Sequence, residues 1–528
     1  MKELSPMMSQ YLRIKEQNKD SILFFRLGDF YEMFFDDAKT ASEELDLVLT
    51  GKDCGLEERA PMCGVPFHSC ESYIARLVER GYKVAICEQT EDPSKAKKLV
   101  NRDVVRVITP GTVIEDSMLD ESRNNYLASI ALKEKSVGLS FCDISTGEAH
   151  VTEISGEDII LRAASELIRF KARELIIDGN LLSDKEFSKI IKAEFEGTVT
   201  KRDPMEFEEG TAIEAICKGF NVISPAELGI SPNSAAASAL GAAVRYINET
   251  GMNHGVHLRS VDFYTQSQFM KLDLTAVRNL EICETMRLKS KKGSLLWVMD
   301  KTRTAMGKRL IRSWFEKPLM NLDRINLRLD ATEELKSDSV LRGETYEYLG
   351  GIKDVERLMT KVLYSSANPK DLVLIAATSS KFPLIKKILS NAKSSMLKSI
   401  YEDIDPLDDI TDLIKTSIKE DPPLAMKEGG IIKDGFSAEV DRYRDDVEHG
   451  SKYLAEIEAE EKEKTGIKNL KIRYNKVFGY YIEVTNSFLD KVPERYIRKQ
   501  TLTNCERYIT EELKELETRI LTAREKLN

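Results

Sequence analysis

The chain has 528 residues, with 78 Lys and Arg against 88 Asp and Glu, for a formal net charge of −10. At roughly 100–200 residues per domain this length makes about three to five domains. A composition that is 42% hydrophobic and 31% charged excludes wholesale disorder, and no apolar run reaches the ~18 residues a membrane-spanning helix needs.

In chain order, the N-terminal stretch from Met1 to Gln10 lacks the apolar core of a secretory signal. Ser21–Leu27 (SILFFRL) has the length and composition of a buried strand, broken by Gly28-Asp29. Asp29 with Glu32 three residues later reads as a capping box that opens a helix running to about Leu45. Ser72–Arg80 is expected to be helical and stopped by Gly81; Tyr82–Cys87 and Val104–Thr109 are expected strands, the latter ended by Pro110-Gly111. Alternating strands and helices predict a mixed or parallel sheet covered by helices. Next, Leu127–Leu132, Val137–Asp143 and Glu148–Ile154 read as three antiparallel strands. A helix (157–170), a strand (174–178), a helix (184–193), a strand near Thr198 and an Ala-rich helix (234–249) complete a second α/β region.

From Asp273 to about Leu413 the pattern is mostly helical, and a Pro/Gly-rich interruption follows from Asp421 to Gly435. Val440, Tyr443, Val447, Leu454 and Ile457 then fit a heptad seam, with Gly450 at its weak position. A second seam runs through Ile509, Leu513, Leu516, Ile520, Ala523 and Leu527. Between the seams, Leu470, Ile472 and Tyr474, then Tyr480, Ile482 and Val484, alternate with polar residues, so two strands joined at Asn475–Gly479 are expected. The product is a long helical arm with a basic β tip. Leu527 holds an in-phase seam position with no stop signal before it, so the natural chain is expected to continue past Asn528.

The eight cysteines are scattered and form no C-x-x-C pair, as expected of reduced cytosolic thiols. His254 and His257 form an H-x-x-H around Gly255, better read as a loop than a metal site. No nucleophile elbow or zinc-ligand cluster is present, so enzyme readings start low. Charge is unevenly distributed despite the acidic total. Basic residues predominate in three segments, Lys95–Arg106, Arg287–Arg309 and Lys468–Gln500, each either a solvated surface or a polyanion contact.

The run Phe25-Arg26-Leu27-Gly28-Asp29-Phe30-Tyr31-Glu32 resembles the Phe-x-Glu mismatch-reading motif of the bacterial MutS family. Pro61-Met62-Cys63-Gly64-Val65-Pro66-Phe67-His68 is similar to a second run of that family, as are Ala85–Gln89, Val105–Thr112, Phe478–Val484, Arg498–Leu502 and Glu506–Tyr508. These motifs extend from the first domain to the last, so the resemblance covers essentially the whole chain.

The resemblance implies a multidomain fold. Two α/β domains come first, a mixed-sheet mismatch-binding domain (1–113) and an RNase H-like connector (122–250). A mostly α-helical lever core follows (258–420), with an inserted helical-arm clamp carrying a small β tip (421–505) and a returning lever helix (506–528), truncated before the ATPase domain. G-x-x-x-x-G-K-[ST] occurs nowhere, and Gly307-Lys308-Arg309 is only a fragment of it. ATP and magnesium are therefore expected in the absent ATPase domain, with no cofactor, no metal and no catalysis in this chain.

Composition alone makes Phe30 a core aromatic and Glu32 a capping residue; the resemblance reverses both. It implies that Phe30 enters the minor groove as a wedge at a kinked mispair and that Glu32 accepts a hydrogen bond from a displaced base. It further implies phosphate contacts by Lys52, Arg102 and Arg106, a loop beside the wedge shaped by Met62 and Pro66, and backbone contacts by Arg473, Lys476, Arg498 and Lys499 in the clamp. The expected partners are double-stranded DNA with mismatches or small loops, a second copy in a full-length homodimer, and downstream mismatch repair factors. The expected place is the cytoplasm, with no membrane. The resemblance implies that the full-length family member is an ATP-dependent DNA damage sensor. The competing reading is a junction-holding scaffold of the same superfamily without mismatch reading, against which Phe30 and Glu32 argue.

Overall fold

The computed structural model describes residues 4–55, 58–91, 99–251, 257–272, 274–475 and 479–527. The chain divides into two compact units, Met1–Ala367 with Lys381–Asp405, and Asn368–Ser380 with Pro406–Asn528.

The first unit opens with α1 (Pro6–Gln17). Pro6 occupies its first turn, and the Ser5 hydroxyl accepts a hydrogen bond from the Met8 N–H at 3.3 Å. Then come β1 (Ser21–Leu27), β2 (Phe30–Phe34), α2 (Phe35–Leu45), β3 (Thr50–Lys52), β4 (Ala60–Pro66), α3 (Cys70–Glu79), β5 (Lys83–Gln89) and β6 (Arg102–Ile108). The strands form one sheet in the order β3-β4-β2-β1-β5-β6. β1 and β5 pair in parallel and every other neighbour is antiparallel, so the sheet is mixed. Period-2 alternation gives each face its own core. Ile22, Phe24, Tyr31 and Met33 pack under α2 and α3, while Leu23, Phe25, Phe34, Ala85 and Cys87 pack with Met8, Tyr11 and Ile14 of α1.

The helix expected to open at Asp29 begins only at Phe35; residues 30–34 are instead the second strand of a hairpin. β2 is bonded on both sides, by β1 and by β4. Two complete ladders outweigh a local capping signal, because each satisfies backbone groups that a buried segment cannot leave unpaired. Glu32 is therefore a strand residue and caps no helix.

The second α/β region contains β7 (Tyr126–Lys133), β8 (Ser136–Asp143), β9 (Glu148–Ser155), α4 (Ile159–Arg169), β10 (Glu174–Asp178), α5 (Lys185–Glu194), β11 (Thr198–Arg202), α6 (Glu209–Phe220), α7 (Ala235–Gly251) and β12 (Ser260–Phe263). Its sheet runs β11-β10-β7-β8-β9-β12. β7, β8 and β9 are antiparallel, as expected, and β10, β11 and β12 extend them through parallel pairings. The Ala-rich α7 is buried along most of its length, because its small side chains let it lie close on the sheet.

A single carboxylate ties the two sheets together. Glu174, fully buried at the start of β10, accepts hydrogen bonds from Thr109 Oγ1 (2.5 Å), the Gly111 N–H (3.1 Å), Thr200 Oγ1 (2.7 Å) and Tyr246 Oη (2.7 Å). Thr109 and Gly111 belong to the chain leaving the first sheet, so the Pro110-Gly111 break is a latched joint rather than a free linker.

The helices that follow in this unit are α8 (Leu274–Asn279), α9 (Leu295–Met299), α10 (Ala305–Glu316), α11 (Leu322–Ser337), α12 (Ser339–Leu349) and α13 (Val355–Leu363). Four of the eight basic residues in segment 287–309 are paired with acids within the fold. Arg309, buried, donates to both oxygens of Asp354 (2.6 and 2.8 Å) and to Glu356 (2.6 Å); Lys308 pairs with Glu121, Lys291 with Asp300 and Lys289 with Glu196.

α14 (Pro369–Ser379) belongs to the second unit, whereas α15 (Phe382–Leu389) and α16 (Ser395–Asp403) return to the first. The rest of the second unit is α17 (Asp408–Ser417), α18 (Ala438–Glu448), α19 (Gly450–Thr465), β13 (Lys471–Asn475), β14 (Gly479–Thr485), β15 (Ile497–Thr501), β16 (Cys505–Ile509) and α20 (Glu511–Leu527). The two seams meet: Ile457 of α19 packs with Leu516 and Ile520 of α20. Gly450 interrupts the first seam for a steric reason, since a Cβ there would lie 2.8 Å from Ile520 Cδ1. Two expectations are corrected. Ile509 ends a strand instead of entering the helical seam, and the β element has four strands, in the order β13-β14-β16-β15, rather than two. β15 escaped notice because its IRKQT sequence buries no apolar side chain; it is held by its ladder to β16. Among the described residues no helix is long and apolar enough to cross a membrane.

Candidate nucleic-acid interface

Phe30 opens β2 immediately after the turn Gly28-Asp29, where Gly28 adopts φ +58°, a region open to glycine at no steric cost. Its cross-strand partners are Leu27 on β1 and Pro66 on β4. Phe30, Glu32 and Phe34 share one face of the strand. Phe34 is covered by Tyr11 of α1, at 4.9 Å between ring centroids. Phe30 lies beyond that cover, 47% exposed, while its neighbours on the opposite face, Tyr31 and Met33, are buried. Residues two apart on a strand are about 7 Å apart along it, so one exposed ring and one carboxylate stand side by side.

Glu32 is not free. Its Oε2 lies 2.5 Å from Lys52 Nζ, with side-chain exposures of 17% for the glutamate and 32% for the lysine. Gly64, opposite Glu32 on β4, leaves room for this arrangement, since a Cβ there would lie 3.4 Å from Glu32 Cγ and 3.1 Å from the Tyr31 carbonyl.

The turn bearing Phe30 is braced by two residues, Arg26 and Phe67, whose role no motif assigned. Arg26 Nε donates to the Gly28 carbonyl at 2.5 Å, and the Phe67 N–H donates to the Asp29 carbonyl at 2.9 Å. The Arg26 guanidinium lies 3.5 Å from the centroid of the half-exposed Phe67 ring, so the two braces also hold each other through a cation–π contact. Both residues stood inside recognised runs, but nothing in the spacing said that residue 26 would lie over residue 67.

The remaining expected contacts separate into kinds. Met62 is half-buried against the α1 core and receives a hydrogen bond from Thr50 Oγ1 on its carbonyl (3.1 Å); Pro66 flanks Phe30. Arg102 is turned inward. It is 8% exposed and donates to the Arg26 carbonyl (2.8 Å), the Val100 carbonyl (2.9 Å) and Gln10 Oε1 (3.1 Å); burial lowers its pKa from the ordinary guanidinium value. Arg106 is likewise committed inside the fold, to Glu115 (2.5 Å) and the Thr112 carbonyl (3.2 Å). β6 is an edge strand, and these two basic side chains tie down the N-terminal helix and the exit chain. Lys95, Lys97 and Lys98 of the same segment lie outside the described residues, as does His254.

On the four-stranded sheet of the second unit, Arg473 and Arg498 are mostly exposed, with side-chain exposures of 54% and 64%. Their acidic neighbours stand at 3.6 Å (Glu483) and 3.3 Å (Glu506). Lys499 is the extra residue where the β15–β16 register shifts, and it is exposed; a bulge of this kind turns a side chain out of the ladder. Lys476 lies outside the described residues. Glu461, buried, receives Arg495 through both oxygens (2.9 and 2.8 Å) and Tyr496 Oη (2.6 Å), which fixes the start of β15. Among the described residues no group of three or more His, Cys, Asp or Glu side chains could hold a metal ion.

A mixed α/β N-terminal region, a mostly helical remainder and a sheet with outward arginine and lysine describe a multidomain α/β and helical protein. Residues 5–117 match MutS domain I, 125–259 match MutS domain II and 275–525 match MutS domain III. The chain is 49% identical over 528 residues to the DNA mismatch repair protein MutS of Alkaliphilus oremlandii and 50% identical over 527 residues to that of Ruminiclostridium cellulolyticum. It is 49% identical over 529 residues to that of Acetivibrio thermocellus, and all three alignments cover 100% of this chain. The chain belongs to the MutS family, and it spans 60% of the length of these relatives.

Proposed function

We propose that this chain recognises mismatched or unpaired bases in duplex DNA, as the DNA-reading part of a mismatch repair damage sensor. The observation that carries this reading is the braced hairpin, which leaves one aromatic ring uncovered beside a carboxylate on the same strand face. An apolar ring inserted between base steps unstacks them at a cost of a few kcal/mol, least where the pair is already defective. Stacking accepts any base, because every base has a π-face. Discrimination then follows from how cheaply the site kinks. Glu32 adds to it by accepting a hydrogen bond from a displaced base, which a paired duplex does not offer. The helical arm (421–505) acts as the clamp, gripping the backbone without reading sequence.

The deciding experiment is fluorescence anisotropy of this chain on G·T and G·C duplexes of one length. Tighter binding to G·T is expected, and equal binding overturns the proposal. Glu32→Ala should tighten binding to the perfect duplex relative to the mismatch, because it frees the Lys52 ammonium for phosphate and removes the acceptor that only a displaced base would use. Replacing Arg473, Arg498 and Lys499 together by alanine should weaken both duplexes alike. It should also flatten the slope of log K against log salt by about 0.9 for each phosphate that is no longer neutralised.

ATP and magnesium binding are assigned to no residue of this chain, which carries no P-loop sequence. The ATPase reaction, the homodimer, the docking of downstream repair factors and a cytoplasmic setting are proposed for the full-length protein.

A further inference from the structure

We propose that Lys52 is a specificity-determining residue, and that the Lys52–Glu32 pair rather than Glu32 alone sets the discrimination between mispaired and paired DNA. The inference rests on the mismatch-reading function proposed above and deepens it.

Lys52 sits on the edge strand β3 and Glu32 on β2, with β4 between them. In the ladders, Lys52 stands opposite Ala60 and Glu32 opposite Gly64, so the lysine side chain crosses β4 diagonally to reach the carboxylate. On its way the ammonium passes 5.6 Å from the Phe34 ring centroid. The contact falls on Oε2, and Oε1 accepts no hydrogen bond from the described residues. One oxygen is therefore pinned by a cation while the other can accept a bond, since an ionised carboxylate has about four acceptor positions.

Two consequences follow. Pairing cancels most of the negative charge that a phosphate backbone would otherwise meet next to Phe30, so both kinds of duplex can approach. Pairing also draws charge from the carboxylate, so its second oxygen is a weaker acceptor for a displaced base than an unpaired carboxylate would be. Without the lysine, a perfect duplex meets an unpaired charge and gains nothing in return. A mismatch meets the same charge and recovers part of the loss through the base hydrogen bond. Removing Lys52 should then weaken binding to both duplexes but widen the gap between them. A lysine that merely touched phosphate would do otherwise: its removal would weaken both equally and flatten the salt slope by the same amount on each.

The test is a double-mutant cycle on G·T and G·C duplexes with the parent chain, Lys52→Met, Glu32→Gln, the double variant and Lys52→Arg. The ratio of G·T to G·C affinity should rise about threefold in Lys52→Met, the scale of a half-exposed ion pair. That rise should vanish in the Glu32→Gln background, and Lys52→Arg should restore the parent ratio. Thermal melting of each variant supplies the folding control, and Lys52→Arg keeps the test informative should Lys52→Met be damaged. An unchanged ratio in Lys52→Met, or the same rise with and without Glu32, overturns the proposal. A parent chain that shows no G·T preference overturns the underlying function instead, so the two failures are distinct.

Discussion

Phe30→Ala should abolish the preference for mismatched DNA. Base–aromatic stacking is worth about 1–3 kcal/mol per base, so affinity for a G·T duplex should fall roughly 10- to 100-fold, while the G·C duplex changes by less than about threefold. Stability should hardly move, because the ring is 47% exposed and lies in none of the buried clusters; exposed substitutions usually stay within about 0.5 kcal/mol. Phe30→Leu separates two ways of acting. It keeps an apolar wedge but removes the π-face, so intermediate selectivity identifies stacking as the larger share. Fluorescence anisotropy and thermal melting on the same samples give both readings, and full selectivity in Phe30→Ala would remove the wedge from the mechanism.

The second large effect is expected at Glu174. Replacement by alanine leaves the hydroxyls of Thr109, Thr200 and Tyr246 and the Gly111 N–H without their buried acceptor. Each unsatisfied buried group costs about 1–3 kcal/mol, and because one cavity relaxes around all four the total should be about 4 kcal/mol rather than the full sum. The first thermal transition should drop by several degrees, and protease cleavage near Pro110 should appear in the variant at temperatures where the parent resists it. Thr200→Val, which removes a single donor, should cost only about 1 kcal/mol. Equal stability of Glu174→Ala and the parent would show that the joint is not latched through this carboxylate.

Legibility followed the reach of the interactions. Where periodicity reported one face of one element, the sequence reading agreed with the structure to within a few residues: Glu174–Asp178 is the strand expected, and Tyr126–Lys133, Ser136–Asp143 and Glu148–Ser155 lie close to the expected bounds. The Asp29–Glu32 capping signal misled because two neighbouring strands, brought from residues 21–27 and 60–66, make a better offer to the same backbone. Strand β15 was hidden because a bulged edge strand needs no apolar alternation. The mixed α/β start and helical continuation were readable for the same reason, since long periodic segments dominate both. At the site, the Phe30 and Glu32 positions came from a motif, but their surroundings did not. Lys52 reaching across β4, Arg26 lying on Phe67, and Arg102 turning inward all depend on register between strands far apart in sequence, and no spacing within one segment encodes that.

The brace formed by Arg26 and Phe67 has a kinetic consequence. A turn tied down on both sides does not have to assemble each time the protein meets a new stretch of helix; the ring is already aimed. On the proposed reading, the time spent at each position is then set by whether the nucleic acid yields, not by whether the protein reorganises. A searcher with that property can pass over sound sequence quickly and stall only where stacking has already failed. Loosening the brace should show as slower interrogation at every position, even where the final grip on a defect is unchanged.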